Sequence, residues 1–358
     1  MKKEEESFLR KVKPIIFWDG FPVCALLIKK VADKFKENLI IVATKSRFPF
    51  AEPESILEHD IIWLNNANDI WKYKNKFNDR NFIIHSGWIY KGWLKYDKLM
   101  KQRNKAMVVV AVDNRFRGDF RQLLGALWFR LCLKKYFDAA IVPGKSGQKL
   151  MRFLGMDPDK IYTSLYGAYE GIFKETVLIE KRAKEFLFVG QLNKRKSVDV
   201  LLDAFKNYRR AGGTWTLRMV GDGPLKNTCH GDGVISEAFA QPQDIVKKMN
   251  AAKVLVLPSR DDNWGTVICE AAACGMHIIS TQSVAASADI IQNNTNGIVL
   301  ENISSSDLEK AFFSYENMPK SRLKEGSGIS KAIARRYNSE AFFNVFMKMA
   351  NASPNTAI

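Results

Sequence analysis

Short runs of aliphatic residues alternate with longer amphipathic stretches along this chain of 358 residues, and the whole pattern occurs twice. The runs include PIIFW, LIIVAT, NFIIH and AMVVVAV in the first half, and EFLFVG, VLVLPS and HIIST in the second. Runs that are apolar throughout are typical of parallel strands buried on both faces, and the helical patterns between them indicate α/β layers. We therefore predict two doubly wound, Rossmann-like α/β domains facing each other across a cleft, with ligands at the carboxyl ends of the strands.

The domain boundary is marked by a stretch without clear periodicity, YGAYEGIFKETVLIEKRAK, that separates the two patterns. This stretch places the end of the N-terminal domain near residue 170. The alternation then restarts and continues to the terminal helices. We predict an N-terminal domain over 1–170 and a C-terminal domain over 171–327.

Composition restricts the environment and the partners. The formal net charge of +17 favours an anionic partner, either a phosphorylated substrate, an acidic membrane surface or nucleic acid, although solubility alone would also explain it. Five cysteines without CxxC spacing indicate a reduced, cytoplasmic compartment, and MKKEEESFLRK lacks the apolar core of a signal peptide. The four histidines have no ligand spacing, so we expect no metal site.

The stretch DDNWGTVICEAAACG, residues 261–275, predicts an anion site. It leads from a strand into a helix that should start near Thr266. The amides of Gly265, Thr266 and Val267 would then point outward at the positive end of the helix dipole, an arrangement suited to phosphate. Glu270, one turn further on, would accept hydrogen bonds from neutral hydroxyls such as those of a ribose. A capping aspartate with a solvated glutamate fits this stretch equally well.

A second loop carries two cations, Arg195 and Lys196, immediately before the helical pattern SVDVLLDAF. Cations at the amino end of a helix oppose its dipole unless an anion binds there. Paired phosphates would supply that anion, held bidentately by the arginine and as a point charge by the lysine. Asp262 lies in the other loop, where the far end of the same ligand would be. Together the two stretches predict a binding site that contacts a nucleoside diphosphate sugar along its length. An exposed basic loop is the alternative.

The second half of the chain resembles the nucleotide-sugar-binding domain of glycosyltransferase family 4, whose members are retaining enzymes of the GT-B fold. The similarity rests on four pieces in order: FLFVGQLNKRKSVDVLLDAF, WTLRMVGDGPLK, EAFAQPQDIVKKMNAAKVLVLPS and DDNWGTVICEAAACGMHIIST. It is strongest over 185–300. The resemblance implies an acceptor-binding N-terminal domain, a nucleotide-sugar-binding C-terminal domain, and a helix within 328–358 that crosses back to the N-terminal domain.

Several site residues follow from this resemblance alone. Asp262 and Glu270 match the family's two acids separated by seven residues, so that Glu270 would hold ribose hydroxyls and Asp262 would face the sugar. Lys196 matches the diphosphate-binding lysine. Gln191 stands where the family's diphosphate arginine is usual, and Arg195 is the candidate substitute.

Other implied contacts lie in three further places. The backbone loop that meets the phosphates and the sugar comprises Asn263, Trp264, Gly265, Thr266 and Val267, and the edge that receives the nucleobase includes Phe239. On the acceptor side, where the family often has a histidine, VDNRFRG offers Asp113, and His85 in IIHSGW is the alternative. Gly20, after the first strand, either admits the acceptor or the phosphates or forms a simple turn.

The function predicted from these residues is transfer of a sugar from a UDP- or GDP-linked donor to a hydroxyl acceptor, a glycan or a lipid-linked glycan. Configuration would be retained, no metal or other cofactor would be needed, and the catalytic residues would be Asp262, Asp113 and Lys196. The alternatives are a nucleotide-sugar epimerase of the same fold and a non-enzymatic basic protein that binds lipid or nucleic acid. We expect no nucleic-acid partner, because no strand interleaves aromatic and basic residues.

The basic amphipathic stretch RGDFRQLLGALWFRLCLKK, residues 117–135, allows two interpretations. An ordinary core helix is the favoured one. The other is a helix that lies on an anionic membrane, with the protein peripheral on the inner face of that membrane.

Overall fold

A computed structural model of the chain describes residues 2–46 and 50–354, with side chains from residue 7 onward. The chain divides into two compact units. The first unit comprises the residues up to Tyr166 together with those from Asn338 onward, and the second comprises Gly167–Tyr337. The chain thus crosses between units at 166/167 and again at 337/338, where the sequence places the crossings at 170/171 and 327/328.

One parallel sheet forms the centre of the first unit. Its strands are β1 (Pro14–Trp18), β2 (Ile40–Thr44), β3 (Ile61–Leu64), β4 (Phe82–Ser86), β5 (Met107–Ala111), β6 (Ala139–Ile141) and β7 (Ile161–Tyr162). They lie in the order β3-β2-β1-β4-β5-β6-β7, and each described pair is parallel. Every residue of β1 and β5 is buried, as expected for central strands covered on both faces.

The helices of the first unit follow the strands in alternation. They are α1 (Lys2–Lys11), α2 (Lys29–Phe35), α3 (Pro53–Leu57), α4 (Lys91–Asn104), α5 (Phe120–Trp128) and α6 (Lys145–Phe153). Trp93 and Tyr96 anchor α4 in the core beside the sheet, and the Tyr96 hydroxyl donates a hydrogen bond of 2.7 Å to the Phe77 carbonyl. This bond satisfies the one polar atom of a buried aromatic side chain.

Helix α5 differs from the sequence prediction of an ordinary core helix. It continues into a π-helical turn, Phe129–Leu133, and only Ala126, Phe129 and Leu133 of the whole segment are buried. Its other large apolar side chains are at least half exposed. The core-helix interpretation is therefore wrong, because most of the segment's apolar surface lies in solvent.

The second unit contains a second parallel sheet. Its strands are β8 (Glu185–Val189), β9 (Thr216–Val220), β10 (Val234–Glu237), β11 (Val254–Leu257), β12 (His277–Thr281) and β13 (Gly297–Leu300). They lie in the order β10-β9-β8-β11-β12-β13, again with parallel pairs. The strand order reverses between β8 and β11, and the crevice outside the carboxyl ends of these two strands is the expected ligand position of a doubly wound sheet.

The helices of the second unit are α7 (Val198–Arg210), α8 (Pro242–Ala251), α9 (Thr266–Ala273), α10 (Ser287–Ile290), α11 (Ser305–Glu316) and α12 (Lys320–Ala334). A last helix, α13 (Ser339–Asn351), belongs to the first unit. There the Phe346 ring lies 5.3 Å from that of Phe35 and 5.1 Å from that of Phe82. No helix in the described ranges combines the length and apolar character needed to cross a bilayer.

Candidate functional site

Two loops meet at the strand-order reversal of the second sheet: residues 190–197 follow β8, and residues 258–265 follow β11. They are tied together by the backbone and by arginine side chains. The Arg260 amide donates to the Arg195 carbonyl at 2.9 Å, and Arg195 Nη1 donates to the Asp261 carbonyl at 2.9 Å. Arg260 also donates to the Lys194 carbonyl and to both carboxylate oxygens of Asp199. The fold therefore brings the two sequence motifs into direct contact.

Lys196 and Asp262 are joined by an ion pair between Nζ and Oδ2. Only 11% and 13% of the two side chains are exposed. Asn193 fixes the turn that carries the lysine, because its Oδ1 accepts a hydrogen bond of 3.0 Å from the Lys196 amide. Both of these predicted catalytic residues thus lie at one place, sheltered from bulk water.

Arg195 has a different environment from its neighbour. Its side chain donates only to the carbonyl of Asp261, and no carboxylate of the described residues is paired with it. Gln191 is exposed at the start of the same loop, and its Oε1 accepts from Asn193 Nδ2 at 3.1 Å. A guanidinium beside the Lys196 ammonium that no described carboxylate compensates is available to bind an anion.

The loop GDGPLK, residues 221–226, has a packing role. The Leu192 amide donates to the Asp222 carbonyl, and the Leu225 amide donates to the Leu192 carbonyl, both at 2.9 Å. A Cβ on Gly221 would lie 1.9 Å from the Gly190 carbonyl oxygen. A glycine at position 221 therefore lets this loop pack directly against the backbone of residues 190–197 and support it.

Helix α9 begins as predicted at Thr266, preceded by Gly265 with φ +90°. A Cβ at this glycine would lie 2.5 Å from Val284 Cγ1, so a side chain is excluded both by the dihedral angle and by contact. The amides of Gly265, Thr266 and Val267 donate no hydrogen bond to the rest of the described chain. These N–H groups lie at a helix end next to the Lys196–Asp262 pair, an arrangement that suits an anion.

Trp264 is the predicted site residue whose side chain points away from the site. It is buried, its Nε1 donates to Cys269 Sγ at 3.3 Å, and its ring packs against that of Tyr337. Its carbonyl accepts from the Ala286 amide at 2.9 Å. Of Trp264, only the backbone amide is left for the contact with the phosphates or the sugar that the resemblance implies. The neighbouring Asn263 is partly exposed.

Glu270 lies one turn into α9, among the buried residues Ile268, Cys269 and Ala271. It is partly exposed, and none of the described residues gives its carboxylate a hydrogen bond or an ion pair. Because desolvation disfavours the charged form, the pKa of Glu270 is raised to about 7. When ionised, this carboxylate is a strong hydrogen-bond acceptor without a partner among the described residues.

Phe239 follows β10, the edge strand that the sequence analysis did not predict. The strand is short, with two exposed residues in its middle and a partly exposed residue at each end, so it forms no aliphatic run. Phe239 is 45% exposed, which is unusual for so large an apolar side chain. Three strand spacings, roughly 14 Å, separate β10 from β11 along the same sheet edge.

The predicted residues of the first unit lie at the carboxyl end of the first sheet. Asp113 is partly exposed after β5, and its Oδ2 accepts a hydrogen bond of 3.4 Å from the Tyr166 hydroxyl. His85 is buried in β4, with Nε2 at 3.0 Å from Oδ2 of the buried Asp97. Gly20 forms a turn after β1, where its amide donates to Thr44 Oγ1 at 2.7 Å. Of the two acceptor-side candidates, only Asp113 is open to solvent.

Metal-ligating side chains do not cluster in the described chain: no group of three or more His, Cys, Asp or Glu residues is placed to hold an ion. The five cysteines, all within the described ranges, form no disulfide.

Comparison with known proteins finds similarity to glycosyltransferases. Residues 171–328 match the family model described as glycosyl transferases group 1. Two uncharacterized glycosyltransferases of Methanocaldococcus jannaschii are similar to the chain. One is 26% identical over 182 residues, covering 48% of this chain and 49% of the relative, and the other is 29% identical over 133 residues, covering 35% and 34%. The chain thus spans about half or less of the length of these relatives.

Solved structures extend the similarity to nearly the whole chain. The Anabaena protein HepE, crystallised in complex with UDP and glucose, superposes with a TM-score of 0.73 over 95% of this chain and 100% of its own, at 13% identity. At that identity the likeness concerns the fold. Together with the two parallel sheets, it confirms the predicted α/β fold of the GT-B class.

Proposed function

We propose that the protein is a retaining glycosyltransferase that moves a sugar from a nucleoside diphosphate donor, UDP- or GDP-linked, to a hydroxyl of a glycan or lipid-linked glycan. The second unit would bind the donor, and the first would bind the acceptor. The match of residues 171–328 to glycosyl transferases group 1 supports the reaction class. The UDP and glucose bound to HepE support the class of donor.

The diphosphate would lie at the amino end of α9, where three amides donate to no other described residue, with the side chains of Lys196 and Arg195 beside it. Fixed amides and cations stabilise an anion without reorganising when its charge increases. The nucleobase would extend toward Phe239 along the sheet edge, and the sugar would face Asp262.

The observation that carries this proposal is the Glu270 carboxylate one turn behind the first amides of α9, since none of these groups has a partner in the part of the chain that the structure describes. A second anion is unfavourable in that position, whereas a vicinal diol donates two hydrogen bonds and carries no charge. A diphosphate at the helix end with a ribose against Glu270 satisfies both groups. Few other ligands place a dianion and a neutral diol one helical turn apart.

In the transfer itself, the bond between the anomeric carbon and the diphosphate oxygen breaks, and a bond from the same carbon to the acceptor oxygen forms. The leaving diphosphate gains a negative charge, which Lys196, Arg195 and the α9 amides would stabilise. The acceptor hydroxyl loses its proton to a base, for which we propose Asp113. We also propose that the reaction needs no metal, so that chelation with EDTA would leave the rate unchanged.

Isothermal titration with UDP, GDP, ADP and their sugars tests the donor site directly. We expect one nucleotide to bind with micromolar affinity, and Glu270→Ala to weaken it tenfold or more, since each hydrogen bond to a charged group contributes about 1.5–3 kcal/mol. Glu325→Ala, at an exposed glutamate of α12, is the matched control. Equal binding by both variants would place the ribose elsewhere.

Product analysis separates the reaction from its alternatives. Transfer to a hydroxyl acceptor with an unchanged anomeric configuration, followed by nuclear magnetic resonance, is the expected result. Conversion of the donor sugar without any acceptor would instead indicate an epimerase. Salt-sensitive binding to DNA or RNA without nucleotide binding would indicate a nucleic-acid-binding protein. The comparisons favour neither alternative.

A further inference from the structure

Helix α5 and the turn after it expose six large apolar side chains, each between 50% and 71% accessible: Phe120, Leu123, Leu124, Leu127, Trp128 and Leu131. We call this set the α5 apolar face. Scattered exposed hydrophobic residues are ordinary on a protein surface, but a contiguous group on one helix is not. The described part of the second unit has no comparable group.

The α5 apolar face is continuous along the helix. Its members recur at intervals of three and four residues, which places them on one side of a helix with 3.6 residues per turn. The buried residues Ala126, Phe129 and Leu133 form the opposite side, which packs against the first unit. The buried stripe therefore anchors the segment to the first unit, and the α5 apolar face is exposed to solvent.

Basic residues border the face. Arg121 and Arg130 are exposed and fall on its two opposite edges in the helical projection. Residues 115–135 contain six basic side chains and one acidic side chain, Asp119, whose carboxylate caps the start of α5. An apolar centre flanked by cations matches the cross-section of an anionic bilayer surface, where acyl chains lie beneath phosphate headgroups.

We propose that the α5 apolar face docks the protein on an anionic lipid bilayer, with the helix axis in the plane of the membrane. Leu, Phe and Trp side chains would enter the headgroup boundary, and Arg121 would contact lipid phosphates. Arg130 would contact them through Nη1, because its Nε and Nη2 donate to the carbonyls of Leu154 and Phe153. A second copy of the chain is a poorer occupant, because a symmetric contact through this helix would bring two sets of cations together. The face belongs to the first unit, and its binding to lipid would not require a bound nucleotide.

Cosedimentation of the full chain with lipid vesicles tests the proposal. We expect binding to vesicles of phosphatidylglycerol and phosphatidylcholine in equal parts and little binding to pure phosphatidylcholine. Leu124→Ser with Leu127→Ser should reduce the partition coefficient at least tenfold, because two apolar side chains no longer leave water. Val177→Ser with Leu178→Ser, an exposed apolar pair in the second unit, is the matched control and should leave partition within about twofold.

The charge requirement has its own test. Arg121→Gln should weaken binding to phosphatidylglycerol vesicles several-fold, and salt at about 1 M should weaken the wild type in the same way, since the Debye length then falls to about 3 Å. Equal partition of the Leu124/Leu127 variant and the control pair would overturn the proposal. A dimer in sedimentation velocity that the same double substitution dissociates would also overturn it, in favour of a second copy.

Discussion

Lys196 and Asp262 form an ion pair across the point where the strand order of the second sheet reverses, 66 positions apart in the sequence. Their neighbours Arg195 and Asp261 are joined in the same direction, guanidinium to carbonyl at 2.9 Å. The cation proposed to bind the diphosphate is therefore held by the acid proposed to face the sugar. A donor bound as proposed would have to compete with Asp262 for Lys196, and the ion pair would hold the ammonium in place until the donor binds.

Substitution of the two partners should affect donor binding in opposite directions. Lys196→Gln removes a charged hydrogen-bond donor and is expected to weaken UDP or GDP binding about tenfold to a hundredfold. Asp262→Asn releases the lysine and should tighten nucleotide binding by up to about fivefold, the usual value of an ion pair near the surface, while lowering kcat. Titration calorimetry measures the first two effects, and initial rates measure the third.

Lys194→Gln is the control for this pair, since Lys194 is an exposed cation in the same turn. It should change nucleotide affinity by less than about twofold. If Asp262→Asn weakened nucleotide binding as much as Lys196→Gln does, the pair would act as one structural unit rather than as competitors.

The sheets could be predicted because their central strands are aliphatic throughout. β1 and β5 contain no exposed residue, and runs of this kind have few other folded environments. β10 escaped prediction because it is an edge strand with exposed residues in its middle. Its burial pattern depends on which neighbour it pairs with, and a short sequence window does not contain that information.

In the candidate site, too, local features could be predicted from the sequence and long-range pairings could not. The start of α9 and the two cations before α7 could be predicted from glycine chemistry and the helix dipole, which are local. The pairing of Lys196 with Asp262 depends on two loops that only the sheet order brings together. The α5 segment was misinterpreted because it is apolar on several sides, so its pattern does not say which side faces the core.

Ionisation of Glu270 should lower the free energy of unfolding of the nucleotide-free protein as the pH rises. Its pKa is about 7 in the folded chain and near 4.5 when unfolded, so between these values the folded state holds the extra proton. The cost of the buried charge therefore grows as the pH rises from about 4.5 and is complete above about 7. Allowing for partial exposure, it amounts to about 2–3 kcal/mol.

Glu270→Gln is accordingly expected to stabilise the protein by that amount at pH 8 and by almost nothing at pH 4.5, as measured by urea unfolding at both pH values. The same substitution should weaken nucleotide binding. Glu325→Gln, at an exposed site, should do neither. A gain in stability that did not vary with pH would show that desolvation of Glu270 is not its cause.

Substitution of Asp113 should lower the transfer rate, whereas substitution of His85 should lower the stability of the fold. Asp113→Asn is expected to lower kcat a hundredfold or more, the usual contribution of a general base, with a change in unfolding free energy below about 1 kcal/mol. His85→Gln breaks the buried contact with Asp97, whose pKa burial already raises, and should cost about 3 kcal/mol of stability. The folded fraction of His85→Gln should keep its transfer rate. A folded, inactive His85→Gln together with an active Asp113→Asn would reverse the assignment.

Replacement of Gly265 at the start of α9 should be costly. With alanine there, the backbone keeps φ near +90°, and the new methyl meets Val284 Cγ1 at 2.5 Å. Gly212 provides a matched control, because its φ is +94° and its Cβ position is open. Gly212→Ala should therefore show the cost of the dihedral angle alone, about 1 kcal/mol, and Gly265→Ala that cost plus the clash, about 3 kcal/mol in total.

The two contributions can be separated in the protein itself. Val284→Ala removes the obstructing methyl, so it should destabilise the Gly265→Ala background less than it destabilises the wild type, a coupling that a double-mutant cycle in urea measures. Because the Gly265 amide is one of the three free donors at α9, Gly265→Ala should also weaken nucleotide binding about tenfold, whereas Gly212→Ala should not. Equal costs for the two glycine variants, with no coupling to Val284, would mean that the start of α9 can shift to admit a side chain, and the amide positions would then not depend on this residue.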